Sequence, residues 1–154
     1  MQVRELMTPD PVVVTPDARL NEVALLMLQY DCGGIPVVAD LESRRLIGIV
    51  TDRDIISRVV AQDRNPMAVT VADAMTPNPK SLPLDAPVEA ALELMRRYNI
   101  RRIPIVDERN ACVGIVTLSD FALRLPPPRR AVRATVEQVT AAGARGQGKP
   151  RASP

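Results

Sequence analysis

Twice in this 154-residue chain a glycine-led β-branched run ends at a threonine that stands three residues ahead of an aspartate, at Thr51/Asp54 and at Thr117/Asp120. Each pair directly follows a β-branched apolar run, Gly48-Ile49-Val50 or Gly114-Ile115-Val116. A run of that kind ending at a hydroxyl marks a strand handing over to a helix. Two chemistries fit the spacing. As N-cap and N3 residues the pair resembles a capping box, in which the hydroxyl takes a backbone N–H of the first turn and the carboxylate reaches back. Aspartate is shorter than the usual Glu or Gln and closes the box less well; each cap is worth about 1 kcal/mol. The same placement also suits a nucleotide. A helix start offers free N–H groups and partial positive charge to a phosphate, a threonine hydroxyl adds a donor, and a carboxylate can accept two hydrogen bonds from a ribose diol. The spacing alone leaves both readings open.

Other chemistry finds little to work with. The chain has no histidine, and its two cysteines, Cys32 and Cys112, are far apart and lack a CxxC spacing, so a metal site has almost no ligands to draw on. Neither a P-loop nor a nucleophile elbow is present, which makes an enzyme the weakest candidate. Two free thiols fit a reducing cytosol. Met1-Gln2-Val3-Arg4-Glu5 is too polar for a signal peptide, and no apolar run approaches the ~20 residues needed to span a bilayer. A cytoplasmic protein is expected. Hydrophobic residues make up 46% of the chain and aromatics only 2%, so the core must be aliphatic. From Arg129 onward six basic residues face one acid, Glu137, a net +5 within an overall +2, which leaves the body before it at −3.

The elements that must position the two pairs come in duplicate. Val3-Arg4-Glu5-Leu6-Met7-Thr8-Pro9-Asp10-Pro11 recurs 68 residues later as Val71-Ala72-Asp73-Ala74-Met75-Thr76-Pro77-Asn78-Pro79. The same offset carries Ile35-Pro36-Val37-Val38 to Ile103-Pro104-Ile105-Val106, and Gly48 matches Gly114 at an offset of 66, so two residues are lost in a hairpin turn. Each copy predicts a short helical turn ended by Thr-Pro, an extended stretch, and a helix capped by Asp17 or Asp85. Apolar steps at Leu20, Val23, Ala24, Met27 and Leu28, and at Val88, Ala91, Leu92 and Met95, give that helix one buried face. A strand opening at Ile35-Pro36 or Ile103-Pro104, a turn, a strand Leu46 to Val50 or Cys112 to Val116, and a last helix follow. The expected fold class is α+β: two tandem β-α-β-β-α repeats, residues 1–68 and 69–125, packed sheet to sheet about a pseudo-twofold axis. Residues 126–154 form a Pro-rich basic tail, with one weakly amphipathic helix through Val132, Val136 and Val139 and disorder from Gly143.

Met-Thr-Pro-x-Pro, Ile-Pro-Val/Ile-Val and Gly-Ile-Val-Thr-x-x-Asp, in that order and twice over, resemble the CBS domain (named for cystathionine β-synthase), and two in tandem resemble a Bateman module, here over Val3 to about Leu125. The resemblance implies two clefts that often bind adenosine derivatives such as AMP, ADP, ATP or S-adenosylmethionine. It implies contacts from Thr and Asp to phosphate and ribose, with the base held by the other repeat. No cofactor is required. One cleft would then use Thr51, Arg53 and Asp54 with Thr76, Lys80, Arg101, Arg102, Ile103 and Pro104. The other would use Thr117, Ser119 and Asp120 with Thr8, Val12, Gly33, Gly34, Ile35 and Pro36. Four cations make the first the expected polyphosphate site; the second, with almost none, suits neutral adenosine, a monophosphate or nothing.

The leading expectation is therefore a non-catalytic regulatory or sensor module for adenosine-containing ligands. It would act through an unknown regulated protein or as a homodimer built on apolar surface at Ile56, Val59, Val60 and Leu125. The rivals are an architectural protein with empty clefts and a nucleic-acid binder through the basic tail. With few aromatics and no stacking platform, that tail could make only salt-sensitive phosphate contacts.

Overall fold

The computed structural model describes residues 1–125 and 130–144, so the Pro126-Pro127-Pro128 stop and the disorder expected from residue 145 on lie outside the described residues. The first half of the chain forms β1 (Thr8–Pro9), α1 (Leu20–Gln29), β2 (Gly34–Val38), β3 (Leu46–Thr51) and α2 (Asp52–Arg58). The second half forms α3 (Val71–Ala74), β4 (Thr76–Pro77), β5 (Leu82–Pro83), α4 (Val88–Tyr98), β6 (Arg102–Val106), β7 (Cys112–Thr117) and α5 (Leu118–Arg124), followed by α6 (Arg130–Ala144). This is the mixed α+β fold of two tandem repeats. The last helix includes Gly143 and runs on to Ala144, slightly beyond its expected end.

The two sheets, ordered β2-β3-β4 and β1-β7-β6-β5, each take a strand from the other repeat. β4 lies antiparallel to β3, with Gly48 opposite Pro77, and β1 lies antiparallel to β7, with Gly114 opposite Pro9. The segments ahead of these strands cross over as well. Val3 and Leu6 are buried with Ile103, Phe121 and Leu125 in one core. Val69, Val71 and Ala74 are buried with Leu20, Ile35 and Val50 in the other. Burying a valine or leucine is worth about 1.5–3 kcal/mol, so each exchanged segment contributes substantially to a core built mainly by the other half.

Backbone contacts repeat under the 68-residue offset, as a pseudo-twofold axis requires. Thr70 bridges Arg19, and Gln2 bridges Pro87. Val71 N–H donates to the Ala18 carbonyl, and Val3 N–H donates to that of Ala86, both at 2.8 Å. These pairings correct one expectation, because neither Asp17 nor Asp85 caps a helix. The N-caps are Arg19 and Pro87, both extended. The residues just before each helix must stay extended to pair with the exchanged segment, which delays the helix start past the aspartate.

The halves also meet where their hairpins turn. Leu46 N–H donates to the Asn110 carbonyl (2.9 Å), and Cys112 N–H donates to that of Arg44 (2.8 Å). Val38, Leu46 and Cys112 make a small core there. Arg44 has a φ of 52°, a left-handed conformation uncommon for a long side chain. Its guanidinium offsets that cost by donating to the carbonyls of Cys112 (3.1 Å) and Pro11 (2.8 Å) and pairing with Asp10 at 3.3 Å.

Outside the repeats, α6 packs on α4 and α5 and buries Thr135 and Val139. The first half has no counterpart to it among the described residues. The expected apolar surface is only partly there. Ile56 and Val60 are 61% and 55% exposed, whereas Val59 and Leu125 are buried, because each closes its own half's core. Further apolar exposure lies on α5, at Leu123 (83%), and on α1, at Leu25 (63%) and Leu28 (80%).

Candidate functional site

Both Thr/Asp pairs cap the helix that follows, but not identically. At the first, Thr51 N–H donates to Asp54 Oδ2 (2.9 Å) and Asp54 N–H donates to Thr51 Oγ1 (3.1 Å), a reciprocal capping box. At the second, Thr117 donates both its N–H and its hydroxyl to Asp120 Oδ2, each at 2.7 Å. The hydroxyl that would serve a ligand is held on the carboxylate. Asp120 is buried, with Oδ1 3.7 Å from Arg124 Nε.

Beneath Asp120 lies a cleft of about 390 Å³. Thr117, Ser119 and Asp120 line it from the β7–α5 junction, with Ile115 beside them. Thr8, Val12, Gly33, Gly34 and Pro36 line it from the other repeat. Of the residues expected at this cleft only Ile35 is absent from the lining; its side chain is buried in the first-half core. β1 brings Thr8 across because Thr8 pairs with Ile115 in the sheet.

Besides Ile115, five further residues line the cleft that sequence reasoning did not assign to it: Pro11, Tyr30, Asp31, Cys32 and Arg102. Asp31 ends α1 in the left-handed region (φ 49°), as Asn99 ends α4 (φ 51°). Arg102 enters because its counterpart is glycine. The 68-residue offset aligns Gly33-Gly34 with Arg101-Arg102, and Arg102 occupies the volume the glycines leave free. A Cβ on Gly34 would lie 2.6 Å from Arg102 Cδ, and Arg102 Nη1 donates to the Gly33 carbonyl at 2.6 Å. Burial pushes the Arg102 pKa down, partly opposed by the nearby Asp52 carboxylate. Guanidinium starts so far above neutrality that it stays charged.

The residues expected around Thr51 are dispersed. Arg58 ties Asp54 (3.8 Å) to the exchanged segment by donating to the carbonyls of Ala74 (2.8 Å) and Met75 (2.9 Å) and to Thr76 Oγ1 (3.3 Å). Lys80 lies over the Tyr98 ring at 4.7 Å. Arg53 is exposed on α2, and Ile103 and Pro104 are buried in β6. Arg101 faces α6, 3.4 Å from the Val139 carbonyl. The expected cluster of four cations at Thr51/Asp54 is therefore not what the chain assembles: of the three expected from the second repeat only Arg102 reaches that side, its guanidinium on the Gly33 carbonyl near Asp52 and Asp54. In the second half Arg124 repeats the role of Arg58, donating to the carbonyls of Leu6 (2.9 Å) and Met7 (3.3 Å). The shared Asp-x-x-x-Arg spacing of Asp54/Arg58 and Asp120/Arg124 is the sequence signal that could have found both arginines.

Among the described residues, no group of three or more His, Cys, Asp or Glu side chains is placed to hold a metal ion, and no helix is long and apolar enough to cross a membrane.

The CBS domain family model matches residues 3–61 and again 71–126. A CBS domain-containing protein of Bacillus subtilis, YhcV, is 40% identical over 121 residues, covering 79% of this chain and 83% of that protein. The CBS domain pair of protein MJ0100, crystallised with 5′-methylthioadenosine and S-adenosyl-L-methionine, superposes with a TM-score of 0.71 at 29% identity, covering 79% of this chain and 97% of that one. The CBS domain protein PAE2072 of Pyrobaculum aerophilum, complexed with AMP, superposes with a TM-score of 0.73 at 27% identity, covering 87% and 96%.

Proposed function

Since the chain belongs to the CBS-domain family, as a tandem pair of repeats, we propose that it is a non-catalytic regulatory module that binds an adenosine-containing ligand in the cleft beneath Asp120. The observation that carries this reading is the lining of that cleft: eight of the nine residues expected there from the sequence come together, drawn from both repeats, around one buried carboxylate. In this reading Asp120 accepts the ribose hydroxyls, Thr117 turns its hydroxyl from Asp120 to the ligand, and Val12, Pro36 and Ile115 form the apolar wall for adenine. The AMP bound by PAE2072 and the two adenosine compounds bound by MJ0100 support the ligand class. A ligand gripped by both halves stabilises the arrangement of the pair that it bridges, which is the means of signalling to a regulated partner. The free thiols Cys32 and Cys112 fit a cytoplasmic setting.

We also infer a homodimer formed through α1. That helix is apolar almost all round, and such a helix is normally covered. Its exposed Leu25 and Leu28 align with Glu93 and Arg96 of α4, which form an exposed ion pair at 2.7 Å. The outer face is thus polar in one repeat and apolar in the other.

Thermal denaturation against adenosine, AMP, ADP, ATP and S-adenosylmethionine tests the ligand. A bound compound at a hundredfold excess over its Kd should raise stability by about 2.7 kcal/mol, and Asp120→Ala should abolish the gain while Asp54→Ala keeps it. If no adenosine compound shifts the transition, the architectural reading takes its place.

A further inference from the structure

The twofold mate of the adenosine cleft is built from different side chains. On the Asp120 side Gly33 and Gly34 line the cleft together with Thr117, and their lack of side chains leaves it open. On the Asp54 side the 68-residue offset puts Arg101 and Arg102 in their place. The Arg102 side chain crosses from β6 to the first repeat, where Nη1 donates to the Gly33 carbonyl at 2.6 Å. The carboxylates of Asp52 and Asp54 are near enough to favour its charge. Nη2 lies close as well: a Cβ added to Gly33 would sit 3.2 Å from it and 2.8 Å from Asp52 Oδ2. In the adenosine reading a ligand joins the two repeats on the Asp120 side. On the Asp54 side the chain joins them itself.

A second position departs from symmetry in the same sense. Val12 and Tyr30 both line the open cleft. Their counterparts at the same offset are Lys80 and Tyr98, and Lys80 Nζ sits 4.7 Å over the Tyr98 ring. The apolar residue of one cleft is thus a cation seated on the neighbouring ring in the other.

From these two departures we propose that Arg102 is an internal plug, occupying the Asp54 side in place of a ligand, so that each chain takes a single adenosine-containing ligand, on Asp120. The proposal rests on the adenosine reading above and deepens it by naming the residue that decides which Thr-x-x-Asp motif is a site and which is only a helix cap. The physical reason is competition. A ligand entering on the Asp54 side must break a charge-assisted hydrogen bond and leave a half-buried guanidinium to find another acceptor. Its apparent affinity falls with the fraction of time the cleft stands free. Thr51 and Asp54 keep the reciprocal capping box between them.

Calorimetric titration of the whole chain with adenosine, AMP and S-adenosylmethionine is the test. Wild type should bind one equivalent per chain. Lys80→Val/Arg102→Gly, which gives the Asp54 side two residues of the open cleft, should bind two. Asp120→Ala should bind none; adding Lys80→Val/Arg102→Gly to it should restore one equivalent, and a further Asp54→Ala should remove it again. A cooperative melt establishes that each variant is folded, and Arg102→Ala, a milder change, should by itself admit a second, weaker equivalent. Two equivalents on wild type overturn the plug, as does a single equivalent on folded Lys80→Val/Arg102→Gly or Arg102→Ala; both results leave the adenosine cleft standing. No binding of any of the three compounds by wild type overturns the adenosine reading, and the plug with it.

Discussion

The sulphur of Met7 fills the volume that a side chain on Gly114 would need, and 68 residues on, Met75 does the same over Gly48. The methionine of each Met-Thr-Pro block therefore rests on the glycine of the opposite repeat's Gly-Ile-Val-Thr block. The two motifs are mates in space across the exchange of segments, which gives each a structural reason to exist before any ligand is considered.

That contact can be tested directly. At Gly48 an added Cβ would come within 2.6 Å of the Met75 sulphur and 3.2 Å of the Thr76 carbonyl oxygen. Gly48→Ala should cost about 1–3 kcal/mol, the usual penalty for overfilling a packed site. The loss should shrink in the Gly48→Ala/Met75→Ala double variant, since residues in contact do not add. Urea unfolding of the four proteins gives the coupling; strictly additive losses would sink the interpretation.

Arg124 should be a clasp. Removing its bonds to the Leu6 and Met7 carbonyls by Arg124→Ala frees the N-terminal segment from the second-half core. Because the side chain is half exposed, solvent screening reduces the effect, and about 1–2 kcal/mol is expected. Arg124→Lys should recover little, because an ammonium lacks the fork that reaches two carbonyls and a carboxylate together. Hydrogen exchange at Val3 and Met7 should speed up selectively in both variants.

The two thiols should behave differently. Burial among apolar side chains lifts the Cys112 pKa to about 11, against a small opposing pull from Arg44. Cys32 lines the cleft instead and is half-buried. A thiol reagent at pH 8 should modify Cys32 and spare Cys112 until the chain unfolds. Adenosine ligands should slow the Cys32 reaction. The sign for stability follows from the raised value. The contribution of Cys112 is complete below its ordinary pKa near 9 and is lost as pH rises through about 11, so alkaline denaturation should begin later in Cys112→Ala than its neutral-pH stability alone would give.

Transplanting the α4 surface onto α1 tests the dimer. Leu25→Glu with Leu28→Arg recreates the Glu93–Arg96 pair at the equivalent positions. Both leucines are exposed in the single chain, so the thermal midpoint extrapolated to low protein concentration should hardly change. Light scattering should report a monomer for the variant and a dimer for the parent; the same mass for both would end the α1 proposal.

Much of this architecture could be read from the chain. The duplication and the strand-to-helix handover at Thr51 and Thr117 follow from periodicity and offset, whereas the residues expected on the Asp120 side came only from what the family resemblance implies. The exchange of segments could not be read. Val3, Leu6, Val71 and Ala74 announce that they will be buried, but nothing local says in which core, because the crossing is decided by long-range pairing. The same pairing moved the helix caps from Asp17 and Asp85 to Arg19 and Pro87. Arg102 was legible in principle, since the alignment sets a Gly-Gly pair against an Arg-Arg pair, and a large side chain enters where its twofold mate is absent. The role of α6 was not, because a weakly amphipathic helix carries no address for the face it covers.

The crossed segments also set a schedule for biosynthesis. As the chain emerges, residues 10–60 can form their hairpin and helices, yet their core still lacks Val69, Val71 and Ala74, and the sheet lacks β4. The first half therefore waits for the second to begin. Val3 and Leu6 wait longer, for Phe121 and Leu125 to arrive. Residues made early are thus buried late, and a stalled or truncated product ending between residues 75 and 120 would hold a complete first core beside an unfilled second one.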